Sequence, residues 1–177
     1  KRMHPFKETM ERLDDIHGMG QRSSEEVLAE IGIDMSRFPT AAHIASWAGL
    51  CPGNNESAGK RKSGRTRQGD SWLRSALVQV AWAAARTKNT YLSALYHRIA
   101  ARRGAKRAII AVAHSILTII YSMLRNQSHY RDLGVTYFDE LNRQSVISRS
   151  VHRLESLGYS VTLNSTLPPS VAEPVFS

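Results

Sequence analysis

The residues of this chain best suited to chemistry lie in Asn55-Glu56-Ser57-Ala58-Gly59-Lys60 and its sequel Gly69-Asp70-Ser71-Trp72-Leu73-Arg74. A serine beside a glycine, with cations close by, can bring its hydroxyl to a phosphodiester while Lys and Arg neutralise the charge that develops on phosphorus. Serine needs a base or a metal to activate it, and the basic segment offers no paired carboxylates for that work. On composition alone Ser57 reads more simply as a loop serine capping a turn. Ser63 shares the segment and is a rival, whereas Ser71 falls in the first turn of a helix, where it satisfies a backbone N–H.

The cations around these residues are concentrated. The net charge is +9, yet residues 57–131 hold fifteen Lys or Arg against one acid, Asp70, and the flanking segments are both net acidic. Such a block is the electrostatic footprint expected for a polyphosphate partner, because each neutralised phosphate releases condensed counterions. The competing reading is a solvated basic face with no partner. Lys60, Arg61, Lys62, Arg65, Arg67 and Arg74 are the first candidates for phosphate contacts. Arg103 and Lys106, with Arg102 and Arg107, form a second cluster around Gly104, where a solvated helix junction is the alternative.

Helices must position these groups. Phe6, Met10, Leu13 and Ile16 recur at helical intervals, and His17-Gly18-Met19-Gly20 makes a turn before a second helix, Gln21 to Ile31, stopped by Gly32. This order resembles a helix-hairpin-helix, in which Gly18 and Gly20 let backbone N–H groups approach a phosphate at a helix N-terminus. The alternative is a plain helical connection, and the acids Asp14, Asp15, Glu25 and Glu26 make the turn less basic than an ideal phosphate site. Thr40 starts a short helix to Trp47. Residues 57–69 hold three glycines, five cations and no large apolar side chain, which predicts a mobile or ligand-ordered basic loop. Asp70 caps a helix from Ser71 to Arg86 with Trp72 on its apolar stripe, Asn89 or Thr90 starts one from Tyr91 to Arg103, and Lys106 to Arg125 forms a central helix. Tyr130 to Gly134 reads as a turn, Gln144 to Leu157 as a final amphipathic helix, and Tyr159 to Leu163 as a short strand.

The fold class expected is therefore mainly α. A helix-hairpin-helix-like unit spans 1–50, the basic loop and helical bundle 51–130, a C-terminal helix and strand 131–163, and a disordered tail 164–177. The single cysteine, Cys51, forms no internal disulfide, and with no charged-then-apolar leader a reducing cytoplasm is expected. The apolar run Ala108 to Leu124 carries too many polar residues for a confident membrane span and reads as a core helix. The seven histidines lack metal-ligand spacing, so no metal site is expected in this chain. Trp47, Trp72 and Trp82 sit on helical stripes and read as core rather than as base-stacking platforms. The missing initiator Met and weak first cap suggest a piece of something longer.

A set of ordered motifs adds to this reading. Leu13-Asp-Asp-Ile-His-Gly-Met-Gly20, Ala29-Glu-Ile-Gly32, the run from Phe38-Pro-Thr-Ala-Ala-His to Gly-Leu-Cys-Pro52, Ser57-Ala-Gly-Lys60, Gly69-Asp70 and Leu73-Arg74 together resemble the C-terminal domain of the insertion-sequence 110 family of transposases. Tyr130-Arg-Asp-Leu-Gly134 and Leu154-Glu-Ser-Leu-Gly-Tyr159 resemble the tail of the same proteins. The resemblance implies an RNA-guided serine recombinase in two parts. An N-terminal nuclease-like domain would hold Mg2+ on four acids, and this domain would supply a catalytic serine, which by motif position is Ser57. It implies DNA and a structured guide RNA as partners, a dimer or tetramer in the full enzyme, and no membrane. No acidic quartet occurs in this chain, so alone it is expected to bind nucleic acid and to cut poorly or not at all.

Overall fold

The computed structural model describes residues 6–51, 55–57, 60–63, 66 and 69–164. The chain divides into two units, 1–137 and 138–177. In the first, α1 (Lys7–Asp14) and α2 (Gln21–Ile31) precede a 3-10 turn (Met35–Arg37) and α3 (Ala41–Trp47). A two-stranded antiparallel hairpin follows, β1 (Asn55–Ser57) with β2 (Lys60–Ser63), and then α4 (Ser71–Arg86), α5 (Tyr91–Arg103) and α6 (Ala105–Asn126). The short α7 (Tyr137–Leu141) lies across the division, and α8 (Arg143–Ser156) belongs to the second unit. The fold is mainly α.

Local chemistry explains the boundaries. Asp70 accepts the Leu73 N–H on its Oδ1 at 2.8 Å and so caps α4, and Thr90 Oγ1 accepts the Ser93 N–H at 3.2 Å to cap α5. Asp34 Oδ1 accepts from Ser36 N–H at 2.9 Å and starts the 3-10 turn, a bond that holds the Asp34 carboxyl below its ordinary range. Gly32 ends α2 with φ +70°.

The core forms around α6, which buries Ala108, Ile109, Val112, Ala113, Ile116, Leu117, Ile120, Tyr121 and Met123. Each fully buried Ile or Leu there stabilises the fold by about 1.5–3 kcal/mol. By length and composition α6 could cross a membrane; in this fold it is the core helix, against which α3, α4 and α5 pack. Tyr121 donates its hydroxyl to Phe38 O at 2.9 Å, and Arg125 donates to Pro39 O at 3.1 Å, which ties the end of α6 to the segment leading into α3.

The turn between α1 and α2 packs on α4. Gly18 has φ +86°, and a Cβ placed there would stand 2.7 Å from Val80 O and collide with the Ala84 backbone. Gly20 faces open space. The acids of this region have structural partners: buried Ser24 donates to Asp14 Oδ1 at 3.0 Å, and His129 Nδ1 donates to Asp15 Oδ2 at 2.9 Å. Glu25 accepts from Gln21 and Glu26 from Arg22.

Residues 130–134, expected as a turn, are organised by Asp132. Its Oδ1 accepts from Tyr91 N–H at 3.0 Å, Tyr130 hydroxyl at 3.2 Å and Gly134 N–H at 3.3 Å. Its Oδ2 lies 3.4 Å from His17 Nε2. Burial first, and then the neighbouring Asp132 charge, raise the Tyr130 phenol well above its usual range.

Two expectations are corrected. Residues 159–163 form no strand, because the alternating run has no neighbouring strand to complete a ladder; α8 instead closes on Gly158 at φ +89°, with Tyr159 N–H bonded to Leu154 O at 3.1 Å. The segment expected as a basic loop contains the β1–β2 hairpin. The expected tail lies, from residue 165 onward, outside the described residues.

Two outcomes follow from the packing. Gly18→Ala should cost about 2 kcal/mol or more, from backbone overlap and positive φ, whereas Gly20→Ala should stay within about 0.5 kcal/mol; urea denaturation of both variants checks the contrast. Half-buried His114 has its pKa lowered by desolvation. The neutral ring therefore favours the folded state, and its contribution is fully present above the ordinary histidine range and lost as pH falls through the lowered folded value. His114→Gln should flatten the acid limb of a plot of melting temperature against pH.

Candidate nucleic-acid interface at the hairpin root

The hairpin leaves the helical core between two fixed feet. At the first, Leu50 N–H bonds to Ala45 O at 3.0 Å and Gly49 N–H to Ser46 O at 3.0 Å, with Ala48 and Leu50 buried. At the second, Asp70 N–H bonds to Trp47 O at 3.2 Å, and buried Leu73 anchors the first turn of α4. Gly69 makes the joint possible, since a Cβ there would stand 2.6 Å from the Ala48 carbonyl carbon. The end of α3 and the start of α4 thus meet backbone to backbone.

Above this root, β1 and β2 run antiparallel in the register Asn55 with Ser63, Glu56 with Arg61 and Ser57 with Lys60, with an irregularity between Asn55 and Glu56. The hairpin was hard to see in the sequence because its strands are polar throughout and its Ala-Gly connection is not one of the strong hairpin dipeptides. Ser57 therefore ends β1 opposite Lys60, which begins β2, and Arg61 and Lys62 follow along the same strand.

The other candidates fall in three places. Arg74 donates from Nη1 to Gly49 O at 3.4 Å, so it helps hold the root while its guanidinium keeps further N–H donors. Arg65 and Arg67 lie outside the described residues. Arg103 ends α5 and Lys106 lies in the first turn of α6, both exposed, on either side of Gly104 at φ +80°. Trp82 packs on Tyr96 with ring centroids 6.0 Å apart, and Ser93 Oγ donates to Ala85 O at 3.2 Å, so α5 runs back along α4. The Arg103 and Lys106 corner is consequently at the end of the bundle where α4 begins. Gly18 and Gly20 lie on the α1–α2 turn, with Gly20 as the N-cap of α2 and no side chain capping that helix.

Tryptophan corrects the sequence reading most sharply. Trp72, expected on the apolar stripe of α4, is 78% exposed, and Trp47 is 41% exposed. The buried line of α4 is Leu73, Ala76, Leu77, Val80, Ala81, Ala84 and Ala85. Trp72 falls instead with Ser75, Gln79, Trp82 and Arg86 on the helix's exposed side. Helical periodicity tolerates Trp72 at the edge of the stripe; only the absence of a covering element decides its exposure. Among the described residues no group of three or more His, Cys, Asp or Glu comes together as a metal site.

With this geometry in view, the comparisons with known proteins become specific. Residues 10–97, which include the hairpin and its root, match the Transposase IS116/IS110/IS902 family. The chain belongs to that family. It is 30% identical over 132 residues to the transposase for insertion sequence element IS1111A of Coxiella burnetii, covering 70% of this chain and 35% of that protein. It is 33% identical over 124 residues to the insertion element IS110 uncharacterized 43.6 kDa protein of Streptomyces coelicolor, covering 67% and 29% respectively. The pilin gene-inverting protein of Moraxella bovis is 32% identical over 116 residues, 64% of this chain and 36% of that protein. The chain spans about a third of the length of these relatives.

The tight joint gives a direct test of how the hairpin is held. Gly69→Ala should lower stability by about 1–3 kcal/mol and speed proteolysis between residues 51 and 69, because the added methyl forces the two feet apart. Unchanged melting and unchanged cleavage would show that the backbones need not meet.

Proposed function

We propose that this chain is the serine-bearing part of a transposase that cuts and rejoins DNA, with Ser57 as nucleophile. The single observation behind this reading is the register: the Ser-Ala-Gly-Lys run that carries the family resemblance joins β1 to β2, with Ser57 opposite Lys60, on a root fixed by α3 and α4. In the reaction, Ser57 Oγ attacks a backbone phosphorus, an Oγ–P bond forms, and the bond from that phosphorus to a deoxyribose oxygen breaks. The serine proton passes to a base, and the deoxyribose oxygen leaves as a hydroxyl; reversal of these steps on a second strand completes the exchange. Lys60, Arg61, Lys62, Arg65, Arg67 and Arg74 neutralise the phosphates flanking the attacked position.

Acids elsewhere in the full-length protein would hold a divalent metal, Mg2+ in this reading, which would add charge neutralisation to this chemistry. Arg103 and Lys106 extend the basic track along the same end of the bundle. The uncapped N-terminus of α2 at Gly20 offers backbone N–H groups to a second phosphate in the manner of a helix-hairpin-helix. A structured guide RNA shares this basic surface with DNA. Exchange between two duplexes requires at least two active sites, which makes the working enzyme a dimer or tetramer acting in the cytoplasm.

The test uses the full-length protein. Ser57→Ala should reduce strand transfer by at least about a thousandfold and abolish the covalent protein–DNA adduct, while gel-shift binding stays within about twofold. Charge reversal by Lys60→Glu with Arg61→Glu should weaken binding at low salt and flatten its salt dependence. Normal transfer by the Ser57→Ala protein would remove the nucleophile from this chain and leave a binding or assembly module.

A further inference from the structure

The most exposed aromatic group of the described fold, Trp72, stands beside the root of the hairpin and has no role in holding the core. It makes no ring contact and no hydrogen bond among the described residues, whereas Trp47 rests on Phe38 at 5.7 Å and Trp82 on Tyr96 at 6.0 Å between ring centroids. Leaving an indole 78% exposed forgoes a large apolar burial in the first turn of a helix whose other large apolar side chains are mostly covered. The bond from Asp70 N–H to Trp47 O brings the Trp47 backbone to the start of α4, two residues before Trp72. Along α4, Trp72 heads an exposed line of Ser75, Gln79, Trp82 and Arg86, which alternates aromatic with polar and cationic groups and holds no acid.

Charge selects the occupant. The sole acid within residues 57–131 is Asp70, whose Oδ1 is engaged in capping α4. An exposed ring in a segment of fifteen Lys or Arg and one acid matches a nucleic-acid strand, whose phosphates meet the cations and whose bases offer flat apolar faces. A Watson–Crick pair keeps those faces inside the stack, so the ring needs an unpaired base.

We infer that Trp72, in the first turn of α4 just after the second foot of the hairpin, is a stacking platform for an unpaired base of single-stranded DNA. This rests on the reading of the hairpin as a DNA site. Such a platform holds a locally opened strand by sequence-tolerant stacking, while the cations of β2 hold the backbone. Trp47 packs its ring on Phe38, is less exposed, and does not replace Trp72.

Binding of the full-length protein to a labelled single-stranded oligothymidylate, and to a duplex of equal length, tests the inference by fluorescence anisotropy. Trp72→Ala should weaken single-strand binding by roughly tenfold or more, the range of one lost base–aromatic stack, and leave duplex binding within about twofold. Trp72→Phe should recover part of the loss, and intrinsic tryptophan quenching by the oligonucleotide should fall in both variants. Equal single-strand affinity of Trp72→Ala and wild type, with both binding duplex, would overturn the platform and leave the DNA-binding reading standing. A parallel loss on both substrates, with unchanged thermal melting, would also overturn it. Failure of the wild-type protein to bind either DNA would overturn the proposed function, and the platform with it.

Discussion

Everything about the site depends on one backbone contact, the Asp70 N–H bonded to Trp47 O at 3.2 Å. It closes the feet of a segment that has no large apolar side chain and therefore cannot fold on a core of its own. The contact needs a glycine at 69, because the Ala48 and Gly49 backbone already fills the space a side chain would take. It also fixes the start of α4, since Asp70 supplies the closing N–H and the cap of the helix at once. A hairpin held in this way has its two ends set by the fold and not by its own polar strands.

Behind that contact stands the burial of α6. The end of α6 holds Phe38 and Pro39 through Tyr121 and Arg125, and this fixes the approach to α3. The turn at Gly18 locks α1 and α2 onto the far part of α4, near Val80 and Ala84. Asp132 then gathers Tyr91, Tyr130, Gly134 and His17, tying the entry of α5 to that turn. The apolar surface buried by α4 and α6 thus supports a root at one end of the bundle, and the polar network closes the other.

Much of this frame was legible in the sequence. The bounds of α2, α4 and α5 follow from Gly20 and Gly32, from the Asp70 cap, and from the Thr90 cap with Gly104, because caps and stops are local chemistry written in single residues. The hairpin was not legible: strand pairing is non-local, and polar strands leave no alternation to read. Trp72 departs from its expected place for a related reason, since periodicity gives the angle of a side chain on its helix and not whether another element covers it. The Asp132 network joins residues far apart in sequence, and a lone aspartate in Tyr-Arg-Asp-Leu-Gly gives no sign that four groups will converge on it. Motif order alone singles out Ser57, since a serine beside a glycine is as often a turn cap.

The distribution of charge is the feature that packing does not explain. Ion pairs such as Lys7 with Glu11 and Arg22 with Glu26 lie on α1 and α2, where acids are plentiful. From Ser57 to Arg131 the segment holds one acid against fifteen Lys or Arg, and that acid caps a helix. The fold withstands this because long side chains keep their charges in water while α4 and α6 carry the apolar burial. Selection for stability alone would intersperse acids among these cations, as it has on α2. Their absence fits the proposed nucleic-acid partner, whose phosphates would supply the negative charge that the segment lacks and release counterions on binding.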